Sequence, residues 1–305
     1  MLKTYTEVLT QINISLPPDL QQLMLQAWQV RRENFAPVLT VARPTDTESI
    51  SVTGASCALH CAHCNGHYLG TMTPLASLSE PTDLKGTSCL ISGGCTTAGK
   101  VPVLPALAKL AALKGRHRYN FHVGLVSAEE IKSLAPLADV VSFDFVGDDA
   151  TIRETLKIDK QVADYVRCYQ ELRRFCRQVV PHICIGLHGG KLGGEEKALA
   201  LLKELGLDQL IFIVLRPTPG TEYAHVNPPD LEQVARLFCT ARLSLPHTPL
   251  TLGCMRPGGT YRQTLDKLAL ACGLNGIVQP APAAVHMAAD LKLQVQATSE
   301  CCAFS

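Results

Sequence analysis

From Ile50 to about residue 290, short apolar runs alternate with segments in which apolar residues recur at helical spacing. The apolar runs are rich in β-branched residues and predict buried strands at 49–54, 89–92, 120–125, 139–145, 181–187, 209–215, 249–254 and 276–280. The helical segments lie at 101–115, 127–137, 164–177, 195–205, 228–243, 261–273 and 283–294. This alternation is typical of βαβ units. Eight such strands over about 240 residues predict an α/β fold, a (βα)8 TIM-type barrel rather than an open doubly wound sheet.

The two ends of the chain differ from this repeating region. Pro17 and Pro18 precede a segment with helical periodicity, which predicts an N-terminal helical extension over 1–47 that packs on the bottom or side of the barrel. Residues 291–305 have no helical period and contain adjacent cysteines. At ~3.3 Å per residue the stretch from 291 to the adjacent cysteines could reach roughly 30–40 Å, enough to return to the barrel rim or seal one end. The predicted division is therefore 1–47, 48–290 and 291–305.

Composition indicates a well-buried globular protein without a strongly charged partner. Hydrophobic residues make up 47% and charged residues 18% of the 305 residues, and the net charge is +1. This charge gives no basis for binding nucleic acid or an acidic membrane. The sequence has no run of ~18 apolar residues that would span a membrane, and the first residues lack the apolar core of a signal peptide. We therefore expect a cytoplasmic protein.

Thirteen cysteines are many for a reducing compartment, where disulfides are rare. Their number favours metal or cluster ligation. Five of them fall within strand or helix patterns and are expected to be buried packing residues; these are Cys168, Cys176, Cys184, Cys239 and Cys272.

Three other cysteines, Cys57, Cys61 and Cys64, follow the first predicted strand in a C-x3-C-x2-C pattern. A disulfide would leave one of the three thiols unpaired. A zinc site needs a fourth ligand, which His60 or His63 could supply. A 4Fe–4S cluster can be held by three cysteines if its fourth iron stays open to a ligand. The loop by itself does not distinguish a zinc site from an iron–sulfur cluster.

In a parallel barrel the active site forms at the carboxyl ends of the strands, so the residues there are candidates for binding. Two glycines after the second strand would let a ligand approach the backbone closely. Asp144 ends the fourth strand and could accept a hydroxyl, whereas Asp148 and Asp149 suit a helix N-cap. Glycine-rich and proline-rich segments after the fifth and sixth strands include PTPGT at 217–221, which could equally form a rigid turn.

The cysteine loop resembles that of the radical S-adenosylmethionine (SAM) enzymes, whose open iron binds the amino and carboxylate groups of SAM. The strand-end elements follow in the order of the biotin synthase-like subgroup, and the resemblance covers about 48–290. His63 stands where the family often has an aromatic residue, and Cys95 stands where it commonly has an acidic one. The resemblance implies a 4Fe–4S cluster on Cys57, Cys61 and Cys64. It also implies a SAM site formed by Ser92, Gly93, Gly94, His122, Asp144, Gly190, Glu195, Pro219 and Gly220.

Four further cysteines suggest a second iron–sulfur cluster, and these are Cys95, Cys254, Cys301 and Cys302. Together with the strand-end motifs they resemble a family that supplies one component of the two-protein lipoyl synthase. This resemblance implies a radical SAM sulfurtransferase that inserts sulfur at C6 or C8 of a protein-bound octanoyl chain through a 5′-deoxyadenosyl radical. The implied partners are an octanoylated lipoyl-carrier protein, a partner synthase and a low-potential electron donor. We also expected an apolar barrel interior suited to an eight-carbon chain.

Two alternatives remain at this stage. The chain could be a biotin synthase-like or other radical SAM modification enzyme with a different substrate. It could also be a non-catalytic protein that binds zinc or an iron–sulfur cluster, in which case it would neither bind SAM nor turn over.

Overall fold

The computed structural model describes residues 4–304 and shows one curled, entirely parallel sheet of eleven strands. Residues 1–3 and 305, at the ends of the predicted extension and tail, lie outside the described residues. The strands are β1 (Val38–Ala42), β2 (Thr47–Ser51), β3 (Thr73–Pro74), β4 (Ser88–Ser92), β5 (Arg118–Phe121), β6 (Val140–Asp144), β7 (Val179–Ile185), β8 (Leu210–Val214), β9 (Leu250–Leu252), β10 (Gly276–Val278) and β11 (Gln294–Thr298). Their order in the sheet is β11-β1-β10-β9-β8-β7-β6-β5-β4-β2-β3.

The structure confirms the predicted TIM-type α/β barrel. Each of the eight predicted strands is present as β2 or one of β4–β10, and these eight follow one another around the sheet in chain order. Three strands were not predicted. Strand β3 has only two residues, β1 is a short run between two prolines, and β11 is exposed and polar.

Strands β1 and β2 form one extended segment that bends at 43–46. Strand β1 pairs with β10 and β11, whereas β2 pairs with β4 and β3. The segment 38–51 therefore joins the last strands of the sheet to the first ones. Strand β1 lies in the sheet although the sequence placed it in the helical extension.

Helices cover the outer face of the sheet. They are α1 (Tyr5–Leu9), α2 (Pro18–Asn34), α3 (Leu107–Lys114), α4 (Ala128–Leu134), α5 (Asp149–Thr151), α6 (Val162–Phe175), α7 (Glu195–Leu205), α8 (Leu231–Ser244), α9 (Gly259–Ala271) and α10 (Pro282–Asp290). A π-helical turn, Ile152–Leu156, follows α5 directly. Helix α2 packs on α8 and α9. Its Trp28 stacks on Tyr5, with ring centroids 5.9 Å apart, and so fixes α1 against it.

The tail closes the lower end of the barrel. Cys302 and Ala303 are buried against apolar residues that lie on the inner face of the sheet, Ala42, Val140, Val180, Ile211 and Val278. Cys301 N–H donates to Thr47 Oγ1 at 2.8 Å, and Gln209 Nε2 donates to the Cys302 carbonyl at 3.0 Å. The short turn Cys302–Phe304 is therefore the barrel floor.

Above this floor the barrel interior is polar, so the expectation of an apolar interior was wrong. Side chains alternate between the two faces of a strand. Ser142 and Asp144 share the inner face with Val140, and His182 shares it with Val180. The apolar residues that marked these strands in the sequence lie mainly on the outer face, under the helices. Within residues 4–304 no helix is long and apolar enough to cross a membrane.

Candidate metal and cofactor site

The cysteine loop begins just after β2 and is held by a series of tight backbone turns. Asn65 N–H donates to the Cys61 carbonyl at 3.1 Å, and His67 N–H donates to the Cys64 carbonyl at 2.7 Å. Asn65 and Gly66 have positive φ angles of 44° and 73°, a conformation that favours glycine and asparagine. These turns bring Cys61 and Cys64 together.

The loop is also tied to two other strand ends. Ala62 N–H donates to the Thr155 carbonyl at 2.8 Å, and the Ala62 carbonyl accepts from Tyr223 N–H at 3.0 Å. The Tyr223 and Thr155 hydroxyls lie 2.9 Å apart. Farther along the loop, the Tyr68 hydroxyl lies 2.6 Å from that of Thr218. Sequence reasoning did not single out these four hydroxyl residues, although Thr218 lies within the PTPGT segment.

The thiols of the loop are free and interact with one another. Within residues 4–304 all thirteen cysteines are unpaired. A hydrogen bond with Cys61, aided by His63, lowers the pKa of Cys64 to about 4, whereas the same hydrogen bond and burial raise the pKa of Cys61. Cys57 adds a further electrostatic contribution to the raised pKa of Cys61. The ligand atoms of Cys61, His63 and Cys64 all lie within 4.8 Å of one another.

The end of β4 packs directly against Cys57. A Cβ on Gly94 would lie 2.0 Å from the Ser56 carbonyl oxygen and 2.6 Å from Cys57 Cα. Gly94 N–H donates to Thr53 Oγ1 at 2.7 Å. The SGG segment thus needs glycine at position 94 because the cysteine loop crosses it there.

This donor set fits a thiophilic metal centre. Cys61 and Cys64 lie close to His63 and Cys57 stands in the same loop, and Nδ1 of His63 is buried without a hydrogen-bond partner among the described residues. Cys57, Cys61 and Cys64 would hold a 4Fe–4S cluster with one open iron. A single zinc ion would instead use the closer group of Cys61, His63 and Cys64 with Cys57 as its fourth ligand.

Two predicted binding residues, His122 and Asp144, form a polar cluster with His182, which the sequence did not single out. His122 Nε2 lies 3.0 Å from Asp144 Oδ2, and the rings of His122 and His182 stack with centroids 5.8 Å apart. Burial opposes both charges, but their attraction is stronger: the pKa of His122 is raised and that of Asp144 is lowered to about 2. Burial lowers the pKa of His182 to about 4.

The polar cluster borders an internal space. Half of the Asp144 side chain and 30% of the His122 side chain are accessible. Both residues nevertheless lie on the inner face of the sheet. The accessible area therefore faces the barrel interior, where a ligand can reach it.

The other residues predicted to bind SAM are Ser92, Gly93, Gly190, Glu195, Pro219 and Gly220, and they do not form one cluster with His122 and Asp144. Ser92 Oγ donates to the His122 carbonyl at 2.7 Å, which links the end of β4, where Gly93 also lies, to the polar cluster. Glu195 is buried, and its two carboxylate oxygens accept from Gly186 N–H and Gly193 N–H at 2.7 Å each. A Cβ on Gly190 would lie 2.1 Å from the Asn227 carbonyl oxygen, so glycine is needed there for loop packing. Pro219 and Gly220 form an exposed turn after β8.

A second group of thiols lies inside the barrel. The floor places Cys301 beside Cys302, whose thiol hydrogen bond lowers the pKa of Cys301 to about 6. Asn120 Nδ2 donates to Cys301 Sγ at 3.7 Å. Cys254 stands just past the end of β9 and is exposed, although desolvation by the surrounding atoms and the Cys301 charge raise its pKa. These three residues form the inner thiol group.

Cys95, the fourth cysteine predicted for the second cluster, lies with the loop thiols instead. Burial raises its pKa to about 12, with further contributions from Cys57 and Cys64. Cys57 Sγ lies 3.9 Å from the Cys95 carbonyl oxygen. The structure thus separates Cys95 from the inner thiol group.

Comparison with solved structures identifies the fold. Methylornithine synthase PylB matches with a TM-score of 0.62 at 14% identity, over 92% of this chain and 84% of PylB. The [FeFe]-hydrogenase maturase HydG from Carboxydothermus hydrogenoformans matches with a TM-score of 0.65 at 13% identity, over 97% of this chain and 76% of HydG. HMG-CoA lyase from Brucella melitensis matches with a TM-score of 0.51 at 12% identity, over 85% of this chain and 93% of the lyase.

No protein-family model and no curated protein matches this chain. The chain has a parallel α/β barrel fold similar to those of PylB and HydG. At these identities the likeness concerns the fold, and the chemistry must be argued from the residues.

Proposed function

We propose that this chain is a radical SAM enzyme and acts as a lipoyl synthase component that inserts sulfur at C6 or C8 of a protein-bound octanoyl chain. The observation that carries the proposal is the presence of two separate thiol groups in one barrel. Cys57, Cys61 and Cys64 stand after β2, and the inner thiol group combines Cys301 and Cys302 of the tail with Cys254 after β9. A sulfur-inserting radical enzyme needs one centre to activate SAM and another to supply sulfur.

The loop thiols would hold the first centre. A bound 4Fe–4S cluster with an open iron would pass an electron from the external donor to SAM and so supply the radical chemistry that removes hydrogen from the substrate. The chain's own residues position this centre: Gly94 sets the place of Cys57, while Thr155 and Tyr223 hold the backbone at Ala62. Ser92, His122 and Asp144 line the neighbouring strand ends, where they suit SAM.

The inner thiol group supports a sulfur source. Cys301 and Cys302 share a thiol hydrogen bond, and the Cys301 charge contributes to the raised pKa of Cys254. The floor also closes the lower end of the barrel and so excludes water from that side. A carrier-bound chain would enter from the opposite end, where the cysteine loop lies. An octanoylated carrier protein, a partner synthase and a low-potential electron donor are the partners we propose.

Iron analysis of variants tests the two centres separately. After anaerobic reconstitution we expect about eight irons per wild-type chain, and about four in either the Cys57/Cys61/Cys64→Ala variant or the Cys254/Cys301→Ser variant. Cys176→Ser is the matched control, because Cys176 is a buried thiol at the end of α6 and should keep about eight irons. An octanoyl-lysine peptide incubated with SAM and reductant should then gain sulfur by mass spectrometry.

Each part of the proposal can fail alone. About four irons in the wild type, all lost with the loop cysteines, would leave a radical SAM enzyme without a sulfur source. About eight irons per chain without sulfur transfer to the octanoyl peptide would contradict the proposed octanoyl substrate. Bound zinc with no SAM cleavage would instead support a metal-binding protein that uses Cys61, His63 and Cys64.

A further inference from the structure

One histidine on the inner face of β7 has a defined tautomer and a free ring nitrogen. His182 Nδ1 lies 3.1 Å from the Val180 carbonyl oxygen. A carbonyl oxygen only accepts, so Nδ1 must carry the proton. In the neutral ring Nε2 is then a bare hydrogen-bond acceptor. Burial keeps the ring neutral at neutral pH, because it lowers the pKa of His182 to about 4.

This acceptor lacks a donor from the protein. Within residues 4–304 no group donates to His182 Nε2, although the residue is only 9% exposed. Across the stacked ring of His122, Asp144 uses Oδ2 for the ion pair, and Oδ1 has no partner among the same residues. Both free atoms are acceptors. A ligand that satisfies them must therefore bring hydrogen-bond donors.

The other polar side chains around His182 already have hydrogen-bond partners. His122 and Asp144 are paired with each other, with His122 Nε2 3.0 Å from Asp144 Oδ2. Asn120 is occupied, because its Oδ1 accepts from Ser142 N–H at 3.1 Å and its Nδ2 donates to Cys301. An amide N–H donates one hydrogen bond and would satisfy the single free acceptor of the His182 ring.

We propose that His182 Nε2 accepts the amide N–H of an acylated lysine side chain inside the barrel. This inference rests on the proposed function, which supplies an octanoyl-lysine substrate, and it assigns the residue that recognises the linkage itself. The stack on His122 and the bond to Val180 hold the imidazole in place. The acceptor is thus oriented before the substrate enters.

Two peptide probes test this recognition. One carries octanoyl-lysine, and the other is an ester isostere in which oxygen replaces lysine Nζ and the N–H donor is absent. Binding is measured by calorimetry on the anaerobically reconstituted protein with SAM present. The wild type should bind the amide about fivefold more tightly than the ester, the scale of one neutral hydrogen bond.

Two substitutions at position 182 separate the acceptor from the fold. His182→Asn keeps a donor for the Val180 carbonyl but lacks the distant acceptor, so amide and ester should bind equally. His182→Gln can place its amide oxygen near the position of Nε2 and should keep the preference for the amide. A change in fold would weaken both probes together, whereas the predicted effect is on their ratio.

Three outcomes would overturn the inference. If the wild type binds both probes equally, the amide is not recognised here, and the proposed function still stands. If His182→Asn keeps the amide preference, another residue supplies the acceptor. If SAM binds but neither probe binds, the octanoyl-lysine substrate is wrong and the inference falls with it.

Discussion

Gly94 lies so close to Cys57 that a Cβ added to it would be 2.7 Å from Cys57 Cβ. Cβ atoms in proteins do not approach other atoms this closely, so a neighbour would have to move. The atoms in the way include backbone atoms of Ser56 and Cys57. The position of Cys57 relative to the other loop thiols therefore depends on glycine, which has no side chain, at position 94 just after β4.

Gly94→Ala should reduce the iron bound by the cysteine loop. The added methyl must displace Ser56 and Cys57, so we expect less than about half of the wild-type iron at this centre, with a stability loss of about 1–3 kcal/mol. Gly70→Ala is the control, because a Cβ there meets nothing within 4 Å. Iron content and urea unfolding check both variants. Normal iron in Gly94→Ala would show that the loop adjusts freely.

The stability of the protein should fall on mild acidification because of His182. Its folded-state pKa of about 4 lies below the usual 6.5. The stability that the neutral ring contributes to the folded state is therefore fully present above pH 6.5 and is lost as pH falls towards 4. The upper limit of the effect is about 3 kcal/mol. His122 acts with the opposite sign, because its raised pKa gives stability that is lost as pH rises, while Asp144 matters only below about pH 4.

Urea unfolding at pH 7 and pH 5 measures this effect. His182→Gln should flatten the difference between the two pH values, because glutamine does not titrate. His225→Gln, a change at an exposed histidine, should leave the wild-type difference in place. An unchanged pH dependence in His182→Gln would mean that another group titrates.

A charge placed in the barrel floor should be costly. Ala303 is fully buried against the inner face of the sheet, so Ala303→Asp puts a carboxylate among apolar side chains. We expect a loss of about 3 kcal/mol or protonation of the new group. Ala297→Asp, at an exposed position of β11, should cost less than about 0.5 kcal/mol. Equal thermal shifts of the two variants would contradict the buried floor.

The ion pair between Arg256 and Asp266 should be sensitive to the loss of one partner. Neither side chain is exposed, and Arg256 Nε donates to Asp266 Oδ1 at 2.8 Å. Asp266→Ala leaves a buried unpaired guanidinium, so we expect a loss of about 3–5 kcal/mol. Glu154→Ala breaks the exposed pair with Arg153 and should cost under about 1 kcal/mol. Chemical unfolding measures the loss of stability in both variants. A loss for Asp266→Ala as small as that for Glu154→Ala would contradict the prediction.

The sequence predicted the parts of the fold that depend on repeated apolar runs. Strands such as β7 are buried on both faces, so their positions follow from composition alone. Strand β11 was missed because QVQAT is exposed on one edge and has no apolar run. Its place in the sheet depends on pairing with Val38–Ala42 at the other end of the chain, which no local pattern encodes.

The candidate site was predictable where spacing carries the chemistry. Cys61 and Cys64 come together with His63 because their short spacing places them on adjacent turns, whereas Cys57 stands outside that group. His182 was missed, because a histidine within an apolar strand gives no sign of which face it occupies. The contact of Cys301 with Asn120 likewise depends on where the tail turns inward, a tertiary property.

The bond between Cys301 N–H and Thr47 Oγ1 joins residues 254 positions apart in the chain. Strands β1 and β11, which meet beside it, pair across a similar separation. Contacts so distant in sequence form slowly, because the chain must first lose the entropy of a very large loop. We therefore expect this seam to be the last part of the sheet to assemble in refolding, after the strands from β4 to β9 have found their neighbours.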